Sequence, residues 1–450
     1  MSEYAIVVLA AGLGTRMKST RPKVLHEIAG RSMLGHVLAV AQEIAPARIV
    51  VVTGPDMPQV AAEARRWAAN VEIAVQAERL GTAHAVRQAL PVLADLTGRI
   101  VVLYGDVPLI TAETLKRIQV MAAVADLCVL GFEAKDPTGY GRIILNEKGA
   151  PVAIREELDA SEEERRIALC NSGIMAVKAD LMRHLLPRIG NDNAKGEYYL
   201  TDLLALAVAE GARTALATCP AEEVQGVNDR VQLAAAEAVM QRRLRERAMK
   251  AGVTLQVPET VYLAHDTQIG PDVVIEPHVW FGPGVKVAEG ARIRAYSHIE
   301  QAEIGPGAQV GPFARLRPGA HIHAGAKVGN FVEIKKADVE QGAKVNHFTY
   351  IGDARVGARA NIGAGTITCN YDGISKHFTD IGEGAFIGSN SALVAPVKIG
   401  RGAYVGSGSV ITEDVPDDAL ALARSQQVIK PGWAARFRAA MRRRLGRKGG

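Results

Sequence analysis

Ile269-Gly270, Ile275-Glu276, Phe281-Gly282, Val287-Ala288, Ile293-Arg294 and Ile299-Glu300 recur every six residues. After a five-residue step the register returns at Ile304-Gly305, Val310-Gly311, Leu316-Arg317, Ile322-His323, Val328-Gly329 and Ile334-Lys335. It resumes at Val339, Val345 and Ile351, then at Val356 and Ile362, and after an insertion at Ile381, Ile387, Leu393, Ile399, Val405 and Ile411. Neither a helix (period 3.6) nor a simple strand (period 2) produces sixes. A hexad opening on a branched apolar residue predicts a parallel β-helix, three hexads to a coil, with the first residue pointing into the stack. Glycine suits the corners, where φ takes unusual values. Chance spacing in a loop-rich, Gly/Pro-rich domain does not give more than twenty positions in register.

The 450 residues allow two or three domains, and 48% hydrophobic content fits a soluble globular chain. Aromatic residues make up only 5%, as expected of a solenoid filled by small branched side chains. Cys128, Cys170, Cys219 and Cys369 have neither metal nor redox spacing. The N-terminus lacks a basic segment, and the run from Ala5 to Ala11 is too short for a signal core. No stretch is long enough to span a bilayer. The expectation is a cytoplasmic protein without membrane insertion.

Net charge is +5, but seven of the 53 basic residues (Arg436, Arg438, Arg442, Arg443, Arg444, Arg447 and Lys448) follow Trp433 with no acidic residue among them. That leaves 46 basic against 48 acidic residues elsewhere. A near-neutral body with a basic tail argues against nucleic-acid binding by the whole chain. Nucleic-acid binding is one reading of such a tail, but a solvated or disordered end, or a lid over a phosphate-bearing ligand, is favoured, and no nucleic-acid partner is expected.

Upstream, short β-branched runs alternate with helical spacing. The strand readings are Tyr4 to Ala10, Arg48 to Thr53, Val71 to Gln76, Arg99 to Tyr104 and Asp126 to Phe132. The helix readings are Met33 to Ala45, Val60 to Ala69, Thr82 to Leu93 and Thr111 to Ala123. The alternation predicts a mostly parallel Rossmann-like α/β sheet with helices on both faces. Ligands of such sheets bind beyond the C-terminal strand ends, where Gly12, Gly105 and Asp106 fall. Asn228 to Lys250 predicts one long connecting helix. The domain expectation is 1–227, a helical linker 228–251, and a coil domain 252–450 with the basic tail.

Leu9-Ala10-Ala11-Gly12-Leu13-Gly14-Thr15-Arg16-Met17 follows a strand. Its glycines let backbone N–H groups approach a phosphate, and Arg16 and Lys23 add positive charge. Without a following Gly-Lys-Ser/Thr it is not a P-loop, and Met17 takes the third glycine place of a dinucleotide fingerprint. On loop physics alone a phosphate cradle and a plain tight turn stand equal. Likewise Asp106 alone could be a turn residue, Lys23 a solvated lysine, Asn228 a helix N-cap and His347 a structural histidine.

Arg21-Pro22-Lys23-Val24-Leu25 continues this loop. Then come Gln76-Ala77-Glu78, Leu80-Gly81-Thr82, Tyr104-Gly105-Asp106-Val107-Pro108-Leu109 and Asp136-Pro137-Thr138-Gly139-Tyr140-Gly141-Arg142. Asn171-Ser172-Gly173, Gly196-Glu197-Tyr198-Tyr199-Leu200-Thr201-Asp202 and Gly226-Val227-Asn228 complete the set. Together with the sixes, this order resembles the bacterial bifunctional N-acetylglucosamine-1-phosphate uridylyltransferases/glucosamine-1-phosphate N-acetyltransferases, across the chain except the extreme tail. The resemblance implies a left-handed β-helix, a homotrimer and two reactions of UDP-N-acetylglucosamine synthesis. Acetyl-CoA first acetylates glucosamine 1-phosphate. UTP then uridylylates N-acetylglucosamine 1-phosphate with Mg²⁺ and releases pyrophosphate.

By the same resemblance, Leu9, Ala10, Ala11, Gly12, Gln76, Gly81 and Thr82 hold the nucleotide, and Arg16 and Lys23 face its phosphates. Tyr104, Gly105 and Asp106 close the site, and Asp106 with Asn228 binds Mg²⁺. Gly141, Glu156, Asn171 and Asn228 contact the sugar nucleotide, although Glu156 and Glu157 are adjacent carboxylates competing for one role. In the coil, Lys344-Val345-Asn346-His347-Phe348-Thr349-Tyr350 resembles the acetyltransferase site, with His347 as general base. Arg317, Lys335, Tyr350 and Asn361 match the sugar-phosphate positions, and Lys376 in the inserted loop is added to them. Ala364, Asn370, Tyr371, Ser389 and Ser407 match acetyl-CoA positions, and Arg424 its phosphates. Residue 407 is Ser where one close pattern has Ala, a change that a backbone contact tolerates. Cys369 has no flanking base motif and reads as a packed loop cysteine. His321 and His323 invite a metal reading without a third partner. The rival functions are a pyrophosphorylase for another sugar with a decorative coil, and a silent regulatory subunit. Retention of Arg16, Lys23, Asp106 and His347 opposes the second.

Overall fold

The computed structural model describes residues 3–446 and divides into two compact units. The first comprises Met1–Ala248 with Tyr262–His265, the second Met249–Val261 with Asp266–Gly450.

The first unit is built on a nine-stranded sheet. Its path runs Thr214–Thr218, Leu127–Glu133, Leu169–Lys178, Arg99–Tyr104, Tyr4–Leu9, Arg48–Thr53, Glu72–Val75. Tyr4–Leu9 pairs in parallel with both neighbours, and only Leu169–Lys178 runs against its neighbours on this path. Ala5 and Val7 face one core, Ile6 and Val8 the other, and all four are fully buried. A strand covered on both faces reads as an unbroken apolar run, which is why its period could not be seen. The helices Met33–Glu43, Pro58–Trp67, Thr82–Ala89 and Ala112–Val124 overlap the predicted spans, displaced by up to four residues at their ends. A small antiparallel pair, Arg142–Leu145 with Pro151–Arg155, extends the sheet from Leu169–Lys178.

The long helix Arg230–Lys250 has 21 residues and lies with the first unit through Ala248. Its start is capped by Asp229, whose side chain accepts the Gln232 N–H at 2.8 Å. Glu237 accepts the Ala29 N–H, and Gln241 bonds Leu263 in both directions.

In the second unit every hexad contributes a short strand, stacked in parallel on the strand one coil away. Val274 pairs with Arg292, Arg292 with Gln309, and so on to Tyr404 with Leu420. Ile275, Phe281, Ile293, Ile299, Leu316, Ile334, Val345 and Ile351 are fully buried in the stack. Burying each such side chain contributes roughly 2 kcal/mol. The insertion after Ile362 leaves the register intact on its far side, where Arg355 pairs with Asp380. Glycine is less dominant at the corners than expected. His278, Tyr296, Phe313, Phe331 and Phe348 all adopt positive φ there. Their rings stack in series at 4.9 to 5.2 Å. The stacking offsets the cost of a left-handed residue that glycine would otherwise spare.

Among the described residues, no helix is long and apolar enough to cross a membrane.

Candidate functional sites

In the first unit the strand Tyr4–Leu9 delivers its chain to a cleft of about 240 Å³ beyond its C-terminal end. Leu9, Ala10, Ala11, Gly12, Lys23, Gln76, Gly81, Thr82, Tyr104 and Asp106 line it. The backbone loop is anchored by the Ala10 N–H to Val52 O and the Gly105 N–H to Leu9 O. Gly14 has φ 65°, and a Cβ there would lie 2.5 Å from Lys23 Cβ, so only glycine lets the turn close over Lys23. Gln76 donates to Gly81 O at 3.1 Å, fixing the strand-to-helix turn before Thr82.

Lys23 is the hub. Its ammonium meets the Asp106 carboxylate and donates to Asn228 Oδ1 at 3.0 Å. Both partners are held from the backbone, the Val227 N–H donating to Asp106 O and the Asn228 N–H to Gln232 Oε1. Asn228 is therefore not the helix cap, a task that Asp229 performs. Asp106 and Asn228 converge their oxygens on one cationic position, which is the arrangement a divalent ion needs from a protein that lets phosphates and water complete its shell.

Tyr104 separates this cleft from a second group. Its phenol is pushed above the usual tyrosine range by burial, and the nearby Glu156 adds to the shift. A Cβ on Gly173 would lie 2.7 Å from the Tyr104 ring, so glycine permits the close approach. Gly173 N–H donates to Asn171 Oδ1, and Asn171 N–H to Gly141 O at 2.7 Å. Glu156 accepts from Thr201 Oγ1 at 3.1 Å, and burial raises its carboxyl above the ordinary glutamate value despite that bond. Gly141, Glu156 and Asn171 are thus one patch. Glu157 turns elsewhere and pairs with Arg142. Arg16 sits exposed on the turn Thr15–Met17, outside the lining. Arg79 lines the cleft although the sequence did not single it out, as does Glu197, which was quoted within a motif but given no role. Arg79 donates to Ala11 O at 2.7 Å and meets Asp56. It occupies the variable place in a motif, so spacing carried no signal for it.

In the coil, the register resolves the predicted residues into two columns. Asn330 stands opposite His347. The ladder from Val345 through Ile362 and Ile387 to Val405 carries the same column on through Ala364, Ser389 and Ser407. His347 is exposed, and its Nδ1 lies 3.0 Å from Asn330 Oδ1. Because an amide oxygen only accepts, this contact favours the neutral tautomer with the proton on Nδ1 and the lone pair on Nε2. Around the next corner Arg317 bonds Glu333 at 2.8 Å, and Glu333 pairs in register with Tyr350. Tyr350 folds over Gly352, where a Cβ would meet its hydroxyl at 2.3 Å. Lys376 approaches Lys335 and draws its ammonium below the ordinary lysine range. Two ammonium groups in contact, with Arg317 nearby, favour an anion between them. Asn361 lies on the Val345 ladder, a strand away from that cluster.

The inserted loop is folded around Asp372, which accepts from the Ile374 and Ser375 N–H groups and pairs with His377 at 2.7 Å. These partners hold its carboxyl far below the usual range. Asn370 bonds Asp353, and Tyr371 donates to Gly373 O. Arg424 donates to Ser407 O at 2.9 Å. Cys369 is half-buried. His321 and His323 both face Asp338, at 3.1 and 3.3 Å, yet no group of three His, Cys, Asp or Glu among the described residues could hold a metal. The tail forms the helix Trp433–Gly446 with its described side chains exposed, and Arg447 and Lys448 lie outside the described residues.

A Rossmann-like nucleotide cleft joined to a left-handed β-helix with a histidine on its face defines a two-headed transferase. Comparison supports both halves. Residues 6–167 match the MobA-like NTP transferase domain, and residues 301–336 and 378–413 match the bacterial transferase hexapeptide family of six repeats. The chain is 56% identical over 443 residues to the "Bifunctional protein GlmU" of Azorhizobium caulinodans, covering 98% of this chain and 99% of that one. It is 58% identical over 435 residues to the protein of that name from a Bradyrhizobium species, covering 96% and 97%. The protein of that name from Rhodopseudomonas palustris TIE-1 is 57% identical over 438 residues, covering 97% of each. The chain belongs to the bifunctional GlmU family and is an enzyme with its uridylyltransferase and acetyltransferase activities.

Proposed function

We propose that residues 1–227 carry out uridylyl transfer, that residues 228–251 link the two halves, and that residues 252–450 carry out acetyl transfer. UTP lies along Leu9, Ala10, Ala11, Gly12, Gln76, Gly81 and Thr82, with Arg16 and Lys23 facing its phosphates. Gly141, Glu156, Asn171 and Asn228 hold N-acetylglucosamine 1-phosphate, with Tyr104 and Gly105 between. A phosphate oxygen of the sugar forms a bond to the α-phosphorus, and the bond to the bridging oxygen breaks as pyrophosphate leaves. Two anions must meet, so the residues act by positioning and charge neutralisation. The single observation that carries this reading is the convergence of Lys23, Asp106 and Asn228. Mg²⁺ fits the Asp106 and Asn228 oxygens and, when bound, supplies charge neutralisation on the reacting phosphates. Lys23 is then free to turn to the nucleotide.

In the coil, the phosphate of glucosamine 1-phosphate rests on Arg317, Lys335, Tyr350, Asn361 and Lys376. Acetyl-CoA lies along Ala364, Asn370, Tyr371, Ser389 and Ser407, with Arg424 at its phosphates. His347 Nε2 takes a proton from the amine as nitrogen attacks the thioester carbonyl. The C–S bond then breaks, His347 passes its proton to the leaving sulfur, and CoA departs as the thiol. Asn330 holds the ring in the required tautomer. The exposed His347 face supports a homotrimer in which a neighbouring coil completes each acetyl site. We place the enzyme in the cytoplasm, where its four substrates are made.

The test supplies glucosamine 1-phosphate with acetyl-CoA, and separately N-acetylglucosamine 1-phosphate with UTP, with and without Mg²⁺. The expected result is two products, only the second dependent on the metal. Equal rates of the second reaction in a chelator would remove Mg²⁺ from this reading.

A further inference from the structure

Arg142 closes the motif Asp136 to Arg142, yet it has no part in the chemistry above. It is among the largest fully buried side chains of the molecule, with 2% of the side chain exposed. A cation is placed in such a position only when its surroundings answer its charge. Here the Glu157 carboxylate lies 2.7 Å from Nη1, an ion pair rather than a hydrogen bond. Nη1 also donates to Tyr140 O, and Nη2 donates to Arg165 O at 3.2 Å.

These anchors surround the sugar patch. Gly141 lies between Tyr140 and Arg142 in the chain, and its carbonyl holds the Asn171 N–H. Arg142 itself pairs in register with Cys170, the residue before Asn171, and with Arg155, the residue before Glu156. Glu156 stands between Arg155 and the anchored Glu157. Its Oε1 would lie 3.4 Å from a Cβ on Gly141. The backbone of Arg142 thus pairs with the two strands that lead to Asn171 and Glu156, and its buried guanidinium adds a side-chain anchor on Glu157, the residue after Glu156. The nucleotide side, built on Leu9 to Gly12 and Gln76 to Thr82, has a separate and more exposed anchor in Arg79, which donates to Ala11 O and meets Asp56.

We propose that Arg142 and Glu157 form a positioning pair for the sugar 1-phosphate. By claiming Glu157, Arg142 leaves Glu156 as the carboxylate that faces the sugar. The inference rests on the reading that Gly141, Glu156 and Asn171 contact that substrate. Neither residue touches the reacting atoms, so the pair governs where the sugar phosphate sits and not how the nucleotide binds.

The test measures steady-state uridylyl transfer by the full-length E157Q, R142K and E156Q variants. KM is determined separately for N-acetylglucosamine 1-phosphate and for UTP, and thermal midpoints are recorded alongside. E157Q keeps the shape of the side chain and removes its charge; R142K keeps the charge and removes the fork. For both, KM for the sugar phosphate is expected to rise about tenfold to a hundredfold, as for contacts to that substrate weakened in the ground and transition states alike. KM for UTP should stay within about twofold, because positioning energy lost at one substrate is not shared by the other. Equal rises in both KM values, or a fall in kcat with both KM values unchanged, would overturn the pairing role. If R142K does not fold, E157Q alone decides by the same criteria. E156Q separates the two layers of the argument. If it raises the sugar-phosphate KM and E157Q does not, the positioning proposal fails while the patch stands. If E156Q leaves that KM unchanged, the patch itself is misassigned and the pair has nothing to position.

Discussion

At the scale of single residues, the two reactions depend on side chains whose surroundings specify their state. His347 has its Nδ1 engaged by Asn330, so Nε2 is the available base. H347A should abolish acetyl transfer and leave uridylyl transfer unchanged, as read by separate assays of CoA and pyrophosphate release. N330A should lower acetyl kcat by roughly tenfold to a hundredfold, the range of a general-base contribution partly lost. It should also change the pH profile, which a mere packing defect would not do. D106A should remove uridylyl transfer and its metal dependence together, with acetylation intact. Glu156 offers a pH test. Burial raises its folded pKa above the ordinary value near 4.5, so ionisation above that folded pKa opposes folding. The penalty disappears as pH falls through the folded pKa to below the unfolded one. E156Q should therefore raise the thermal midpoint at neutral pH by about 2 °C, with the gain vanishing near pH 4. A gain that persists at pH 4 would show that charge is not its cause.

At the scale of elements, the breaks in the hexad period matter most. The inserted loop owes its shape to Asp372, which takes two backbone N–H groups and His377. Its depressed pKa means this stabilisation is fully present above the unfolded carboxylate range and is lost as pH falls through the lower folded value. D372A should raise KM for acetyl-CoA several-fold without moving either constant of the uridylyl reaction. An unchanged acetyl-CoA constant would mean that Asn370 and Tyr371 do not meet the donor. The helix Arg230–Lys250 shows how element-level reading misleads on a single residue. Its start alone allowed Asn228 to be the cap, but the neighbouring Asp229 caps, and Asn228 is released to meet Lys23, in keeping with the resemblance. Sequence spacing could not choose between adjacent polar residues.

At the scale of the whole molecule, the chain carries two chemistries on units that fold around separate cores. The first unit has two apolar layers on either side of its sheet, and the second has one stacked column. Mutations at one site are expected to leave the other reaction within experimental error. Truncation after Gly432 should weaken acetyl-CoA use and spare uridylylation, because five arginines of the described tail helix, Arg436, Arg438, Arg442, Arg443 and Arg444, suit a phosphate-rich donor. Unchanged acetylation kinetics would make the tail a passive end. Sedimentation at micromolar concentration should give a particle of three chains.

The β-helix, the α/β sheet and the main chemical motifs were all legible in the order of residues. Backbone periodicity and strand-end loops are local properties, and local properties are written along the chain. Lys23, Asp106, Asn228 and His347 were marked out by the resemblance that their motifs carry, since local pattern alone left each with an ordinary structural reading. What the motifs could not supply was partnership between residues far apart. Only the folded chain brings Lys23 to both Asp106 and Asn228, aligns Asn330, His347, Ala364, Ser389 and Ser407 in one column, and sets Lys376 beside Lys335. Only the fold assigns Glu157 to Arg142 and leaves Glu156 bonded to Thr201. Ion pairs and hydrogen bonds act over a few ångströms of space, whereas sequence records distance along the chain.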